Sequence, residues 1–223
     1  MSAPFDWSYF ERLLPLYASA LWLTLWVAAV STVLAVLIGA ANGAAQFYRL
    51  PFFARLGKSY AALFRNTPLM IQLFFLFYAL PKLGLILAPT TCALLGLTLL
   101  GGAYMSEAFK GGLSAVKAHQ VEAGLALGMS RWQCLRFVLL PQAWSYSLPA
   151  LGANAIFLFK ETSIFSIIGV MDLMNVSKTQ IGLYYKTHEA LALLVSAYAL
   201  VLIPMSFGLS WLEKKARHAE FGH

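Results

Sequence analysis

Five polar residues stand close together late in the chain: Asn154, Lys160, Glu161, Thr162 and Ser163. A cation and a carboxylate side by side are complementary to a zwitterion. Lys160 can meet an α-carboxylate and Glu161 an α-ammonium, a pairing that suits an amino acid. The stretch that leads to them carries Pro141 and Pro149 and meets polar residues before an apolar run should end. Broken helices with polar groups line cavities rather than lipid, and charges held in membrane segments are functional candidates by default. A hydrated position at the outer interface, with neither charge paired, suits the same residues, and the sequence alone leaves both readings open.

No other constellation supports bond-making chemistry. There is no His-Glu-x-x-His, no Gly-x-Ser-x-Gly and no cysteine pair at zinc spacing. Gly57-Lys58-Ser59 resembles the end of a phosphate loop, but that loop needs a glycine at position 52, where Phe stands. The chain is therefore not expected to bind ATP itself. His119, His188, His218 and His223 share no helix face at close spacing, so no metal site is expected. Cys92 and Cys134 are too far apart for a redox or metal motif and read as small apolar fillers.

The elements that position these residues follow from composition. Of 223 residues, 60% are hydrophobic and 11% charged, with a mean hydropathy of +0.71. Soluble domains carry about 25% charged residues, and disorder requires low hydrophobicity, so both classes are excluded. A polytopic membrane protein remains, with one domain over 1–223. The opening Met1-Ser2-Ala3-Pro4-Phe5-Asp6-Trp7 lacks a basic region, so no cleaved signal peptide is expected.

Charge-free stretches fall at 13–48, 66–81, 83–106, 137–159 and 190–212. A hydrocarbon core needs roughly 20 helical residues, which predicts five spans at about 18–46, 68–80, 90–108, 137–159 and 190–211. The second is short, is preceded by an amphipathic turn, and has a re-entrant segment as its alternative. Five spans place the termini on opposite sides. Arg49, Arg55, Lys58, Arg65, Lys110, Lys117, Arg131, Arg136, Lys214, Lys215 and Arg217 fall on one side, and Arg12, Lys82, Lys160, Lys178 and Lys186 on the other. Basic residues resist translocation, so the N-terminus is expected outside and the C-terminus inside, with the net charge of +7 explained by inner loops rather than nucleic acid. Trp7, Tyr9, Tyr17, Trp22 and Trp211 suit interfacial belts, and Gly39 to Gly43 is a small-xxx-small pattern that lets two helices approach.

The loop 107–136 is then cytoplasmic. Ala118 to Leu127 forms helix, with Val121 and Leu125 on one face. Gly128 suits its C-terminus, and Ser130 with Gln133 makes a capping box for the next helix. Helix, glycine turn, helix is a mechanical handle, or a well-capped loop. Thr67 before Pro68 reads as an N-cap with proline in the first turn, Arg65 as a residue that snorkels to the interface, and Glu107 with Lys110 as a local ion pair.

Glu122-Ala123-Gly124, three residues, Gly128, nine residues, Val138, one residue and Leu140-Pro141 resembles the signature loop of ABC-importer permeases. That pattern reads Glu-Ala-Ala, three residues, Gly, nine residues, Ile, one residue, Leu-Pro. Gly124 and Val138 depart from it, and Gly124 loosens the helix by up to about 1 kcal/mol relative to Ala. Thr24-Leu25, Phe64-Arg65-Asn66-Thr67-Pro68-Leu69 with Gln72-Leu73, Ala103-Tyr104-Met105-Ser106-Glu107, Leu140-Pro141-Gln142-Ala143 and Leu158 to Ser163 extend the resemblance over nearly the whole chain. It is similar to the polar amino-acid permeases, which include histidine, glutamine and glutamate systems.

The resemblance implies an all-α membrane protein with five transmembrane helices and a cytoplasmic coupling helix, the type I importer fold, with the coupling loop at about 110–136. It implies that His119, Glu122, Ala123, Gly124, Gly128, Met129 and Arg131 meet an ATPase, that Arg65, Thr67, Pro68, Gln72, Glu107 and Pro141 serve gating or structure, and that Asn154 and Lys160 to Ser163 line the substrate path. It further implies no cofactor in this chain, with ATP and Mg on a partner ATPase dimer, a second permease copy or paralogue, an extracytoplasmic amino-acid-binding protein, and a multi-pass place in the bacterial inner membrane. A secondary transporter or channel is the alternative. Such carriers commonly show internal repeats, and none is found here.

Overall fold

The computed structural model describes residues 5–221, with side chains as far as Ala216. The first four residues and His223 lie outside the described residues, as do the side chains of Arg217 and His218. Every described element is helical. The long helices are α1 (Trp7–Phe47), α4 (Pro89–Ala115), α7 (Leu140–Glu161) and α9 (Thr187–Phe221). Between them lie α2 (Pro51–Asn66), α3 (Leu69–Phe74), α5 (Ala118–Ala126), α6 (Arg131–Cys134) and α8 (Leu173–Tyr184).

Four segments are long and apolar enough to cross a bilayer, and α2 with the 69–83 segment makes a fifth if that bent pair is one span. The break lies at Thr67–Pro68, one residue away from the expected arrangement. Thr67 is not the N-cap of the second half. It caps the C-terminus of α2, and its hydroxyl donates back to the Leu63 carbonyl. Pro68, with extended ψ, starts α3, and its carbonyl accepts from the Ile71 and Gln72 amides. A threonine hydroxyl four residues beyond a carbonyl competes for this bond at a helix end.

Prolines shape two further segments. Pro81 follows a π-turn over Phe75–Ala79, and Pro141 follows another over Leu135–Leu139. Proline has no N–H and its ring crowds the carbonyl four residues earlier, so the preceding turn widens.

The chain forms two compact units. The first comprises Met1–Thr32, Pro68–Thr98 and Phe157–Ser206, and the second Val33–Thr67, Leu99–Ile156 and Phe207–His223. The first unit's core joins Leu13, Tyr17 and Ala20 of α1 to Leu173 and Val176 of α8 and Leu193 of α9. In the second, Leu113 and Val116 of α4 meet Leu139 and Ala143. Gly39 and Gly43 lie against the backbone of α4. A Cβ on Gly39 would stand 2.8 Å from the Met105 carbonyl carbon, and one on Gly43 would stand 2.8 Å from the Ser106 oxygen. Lipid tails are as apolar as leucine, so such close backbone approach, rather than water exclusion, holds spanning helices together.

The aromatic belt is only partly as expected. Trp7 and Trp22 are exposed, but Tyr17 is 4% exposed, its hydroxyl bonded to Ser177 and donating to the Ala190 carbonyl. Tyr9 donates to Gln180 at 2.7 Å. A phenol finding polar partners within the protein gains more than one left at the interface.

Candidate functional site

The second unit carries an exposed helical elbow. Leu127 caps the C-terminus of α5, and Gly128 has φ 84°, which glycine adopts without steric cost. The Met129 amide donates to the Gly124 carbonyl and the Gly128 amide to that of Leu125, closing the helix in a Schellman pattern. Ser130 and Gln133 then cap α6 reciprocally, at 2.8 and 3.2 Å. α6 continues through the π-turn into α7, so the elbow is joined to a spanning helix without a flexible link.

The buried face of α5 is not the expected Val121–Leu125 stripe. Gly124 is its buried residue, and Leu125 faces outward. A Cβ on Gly124 would lie 3.0 Å from Cys134 Sγ and 3.3 Å from Met129 Sδ, and the Cys134 thiol donates to the Val121 carbonyl. The departure from the family's alanine thus seats α5 on two sulfur atoms. His119, Glu122, Ala123, Gly128 and Arg131 are exposed, as are Leu127 at 85% and Trp132 at 64%. A rim of charge around exposed Leu and Trp is the composition of a protein-binding surface.

Glu107 of α4 forms ion pairs with Arg65 of α2 at 3.5 Å and with Lys110 at 3.8 Å. The local pair with Lys110 forms as expected, while Arg65 reaches across to another helix and stands over the Tyr104 ring. The pairs are over a third exposed and contribute about 0–1 kcal/mol each. Their effect is to fix the α2–α4 register. Gln72 is buried in α3 and Pro141 is exposed at the start of α7.

The polar segment at the end of α7 is divided. Asn154 belongs to the second unit, and Lys160 to Ser163 belong to the first. Lys160 is exposed and Glu161 half-buried, and neither has an ion-pair partner among the described residues. Thr162 is wholly buried, donating to the Phe159 carbonyl and bonded to Tyr198, while Ser163 donates to the Lys160 carbonyl. The charged side chains are thus available to a ligand, whereas the Thr162 hydroxyl is engaged in packing.

Two polar features escaped the sequence reading. Lys186 donates to Asp6 at 2.7 Å, and the Asp6 amide donates to Glu189, joining the start of α1 to that of α9. The Lys186 hydrogen bond, aided by the Tyr9 amide and Ser8 hydroxyl, holds the Asp6 carboxyl well below the usual range, and Lys186 rises correspondingly. Asp172 caps α8 by accepting from the Asn175 amide at 3.0 Å, yet it is wholly buried and its Oδ2 has no partner. Burial pushes its pKa up to about 6. The Asp172-to-Asn175 spacing is a legible N-cap signal; the partners of Asp6, 180 and 183 residues away, are not.

The comparisons agree with this architecture. Residues 31–218 match the model of the family described as binding-protein-dependent transport system inner membrane component. The glutamine transport system permease protein GlnP of Escherichia coli K12 is 31% identical over 96% of this chain and 98% of its own. The probable amino-acid ABC transporter permease protein PatM of Vibrio harveyi is 30% identical, again covering 96% and 98%. The L-cystine permease TcyL of Bacillus subtilis is 31% identical over 91% and 88%. Among solved structures, an amino acid ABC transporter with histidines matches with a TM-score of 0.88 at 28% identity, covering 96% of this chain and all of that one. The MetNI methionine ABC transporter shares the fold, with a TM-score of 0.74 at 21% identity over 92% and 98%. The helix, glycine turn and capped helix of residues 118–134 therefore belong to a known class of molecule, and the chain is a member of the inner-membrane permease family of binding-protein-dependent ABC transport systems.

Proposed function

We propose that this permease passes polar amino acids inward, driven by ATP that a separate cytoplasmic subunit hydrolyses. The amino-acid class rests on the relatives that are named for glutamine, cystine and general amino-acid transport. The observation that carries the mechanism is the elbow. It presents Glu122, Leu125, Leu127 and Trp132 outward while Gly128 and the capping box hold it at a fixed angle to α7. An ATPase dimer closing on ATP pushes on that surface, and the continuous α6–α7 connection carries the displacement into the span. A second permease copy or paralogue completes the pore, and an external binding protein delivers the substrate. The N-terminus lies outside and the C-terminus inside, as the loop charges require. Lys160 meets the substrate carboxylate and Glu161 its ammonium as the amino acid passes.

The test is ATP-driven amino-acid uptake into proteoliposomes holding the intact assembly. Glu122→Lys reverses charge on the exposed face of α5 without touching its buried side. Uptake should fall at least about tenfold, the effect of misplacing charge at an interface, while the chain remains in the membrane. Uptake at the wild-type rate would contradict the role given to the elbow.

A further inference from the structure

In the second unit, at the α1–α2 turn, a cavity of ≈ 700 Å³ is lined by Gln46, Arg49, Arg55, Lys58, Lys110 and Ser114 among others. Four cations face it and no carboxylate does. Of these four only Lys110 pairs with a carboxylate, that of Glu107 at 3.8 Å, and Arg49, Arg55 and Lys58 have no ion-pair partner among the described residues. Gln46 is 4% exposed, and both polar atoms of its amide lack a partner. Arg49 itself has φ 51°, a conformation that costs a residue with a side chain, and that turn holds it beside Pro51 at the cavity rim. Converging like charges and a stranded amide call for an anion. Guanidinium forks with ammonium groups match phosphate oxygens.

The surroundings say what carries the phosphate. Arg55 and Lys58 are interleaved along α2 with exposed Phe52, Phe53 and Leu56, the make-up of a helix lying at a membrane surface. On the opposite flank of the same helix an apolar groove of ≈ 420 Å³ lies between Phe53, Leu56 and Tyr60 of α2 and Ile38 of α1 and Leu99 of α4. We propose that the basic cavity holds the phosphate of an anionic glycerophospholipid, whose acyl chains lie along α2. The loop charges assign the lipid to the cytoplasmic leaflet. The binding itself is independent of the transport role.

The test is lipid retention by the full chain, purified in its intact assembly from nanodiscs of phosphatidylcholine with and without phosphatidylglycerol and read by native mass spectrometry. The wild type should retain phosphatidylglycerol selectively. Arg55→Gln with Lys58→Gln should weaken that retention roughly thirtyfold, each basic residue supplying a factor of about five. Lys214→Gln with Lys215→Gln, basic residues of α9 outside the cavity, should leave it unchanged. Arg55→Lys with Lys58→Arg conserves charge and should retain lipid, which separates charge loss from misfolding. Unselective retention by the wild type would overturn the proposal. So would displacement of the lipid by inorganic phosphate at equal concentration, which assigns the site to a free anion. Release of a protein subunit by the double glutamine variant, with lipid unchanged, would overturn it in favour of a protein interface.

Discussion

Gly124 shows how a departure from a family pattern is accommodated locally. Alanine there would gain up to about 1 kcal/mol of helix propensity, but its Cβ would lie 3.0 Å from Cys134 Sγ. Overpacking costs about 1–3 kcal/mol, more than the propensity gain. Gly124→Ala should therefore destabilise the chain by roughly 1 kcal/mol in detergent thermal unfolding. In a Cys134→Ala background the sulfur is gone, and the same substitution should become stabilising. Additive effects in this double-mutant cycle would show that the two residues do not share a contact.

At the scale of elements, the capped start of α6 keeps the elbow rigid. Ser130→Ala removes the acceptor for the Gln133 amide and should cost about 1 kcal/mol. Amide exchange of Gln133 and Cys134 should quicken roughly fivefold, with no change at α8; unaltered exchange would mean that the cap does not hold this turn. Caps of this kind were legible because Gly128, Ser130 and Gln133 carry their instructions within six residues. Four of the five apolar runs were legible because the bilayer sets their length, and the second is a span only if α2 and the 69–83 segment count as one. What sequence could not supply were partners that folding brings from afar: Glu107 for Arg65, Ser177 for Tyr17, and Lys186 for Asp6. The π-turns before Pro81 and Pro141 were missed for another reason: Pro141 foretold a broken helix but not its form, and Pro81 was not singled out. Of the residues read as a substrate path, Lys160 is exposed, Glu161 half-buried and Thr162 buried, and the burial of Thr162 beside Tyr198 of α9 had no local signal.

At the scale of the whole molecule, two carboxyls give stability opposite pH dependences. Asp172 has its pKa raised by burial to about 6, so the folded chain binds more protons than the unfolded one between about pH 4 and 6. Stability should fall across that window as pH rises, by on the order of 3 kcal/mol. Asp172→Asn keeps an acceptor for the Asn175 amide and should flatten the decline. A variant whose decline matches the wild type would rule out Asp172 as its source. Asp6, held low by Lys186, acts the other way: its contribution is present above about pH 4 and is lost as pH falls further. Both carboxyls lie in the unit that also holds Lys160 and Glu161, whereas the elbow lies in the other. The central claim is that the elbow faces the cytoplasm and meets the subunit that hydrolyses ATP. The most direct measurement is photocrosslinking in intact membranes from position 127, where the leucine is 85% exposed, with position 86, an isoleucine 83% exposed in the loop assigned to the outside, as control. Capture of the ATPase from position 127 and not from 86 is the expected result; capture from 86 alone, or labelling of position 127 by an impermeant reagent added outside, would contradict it.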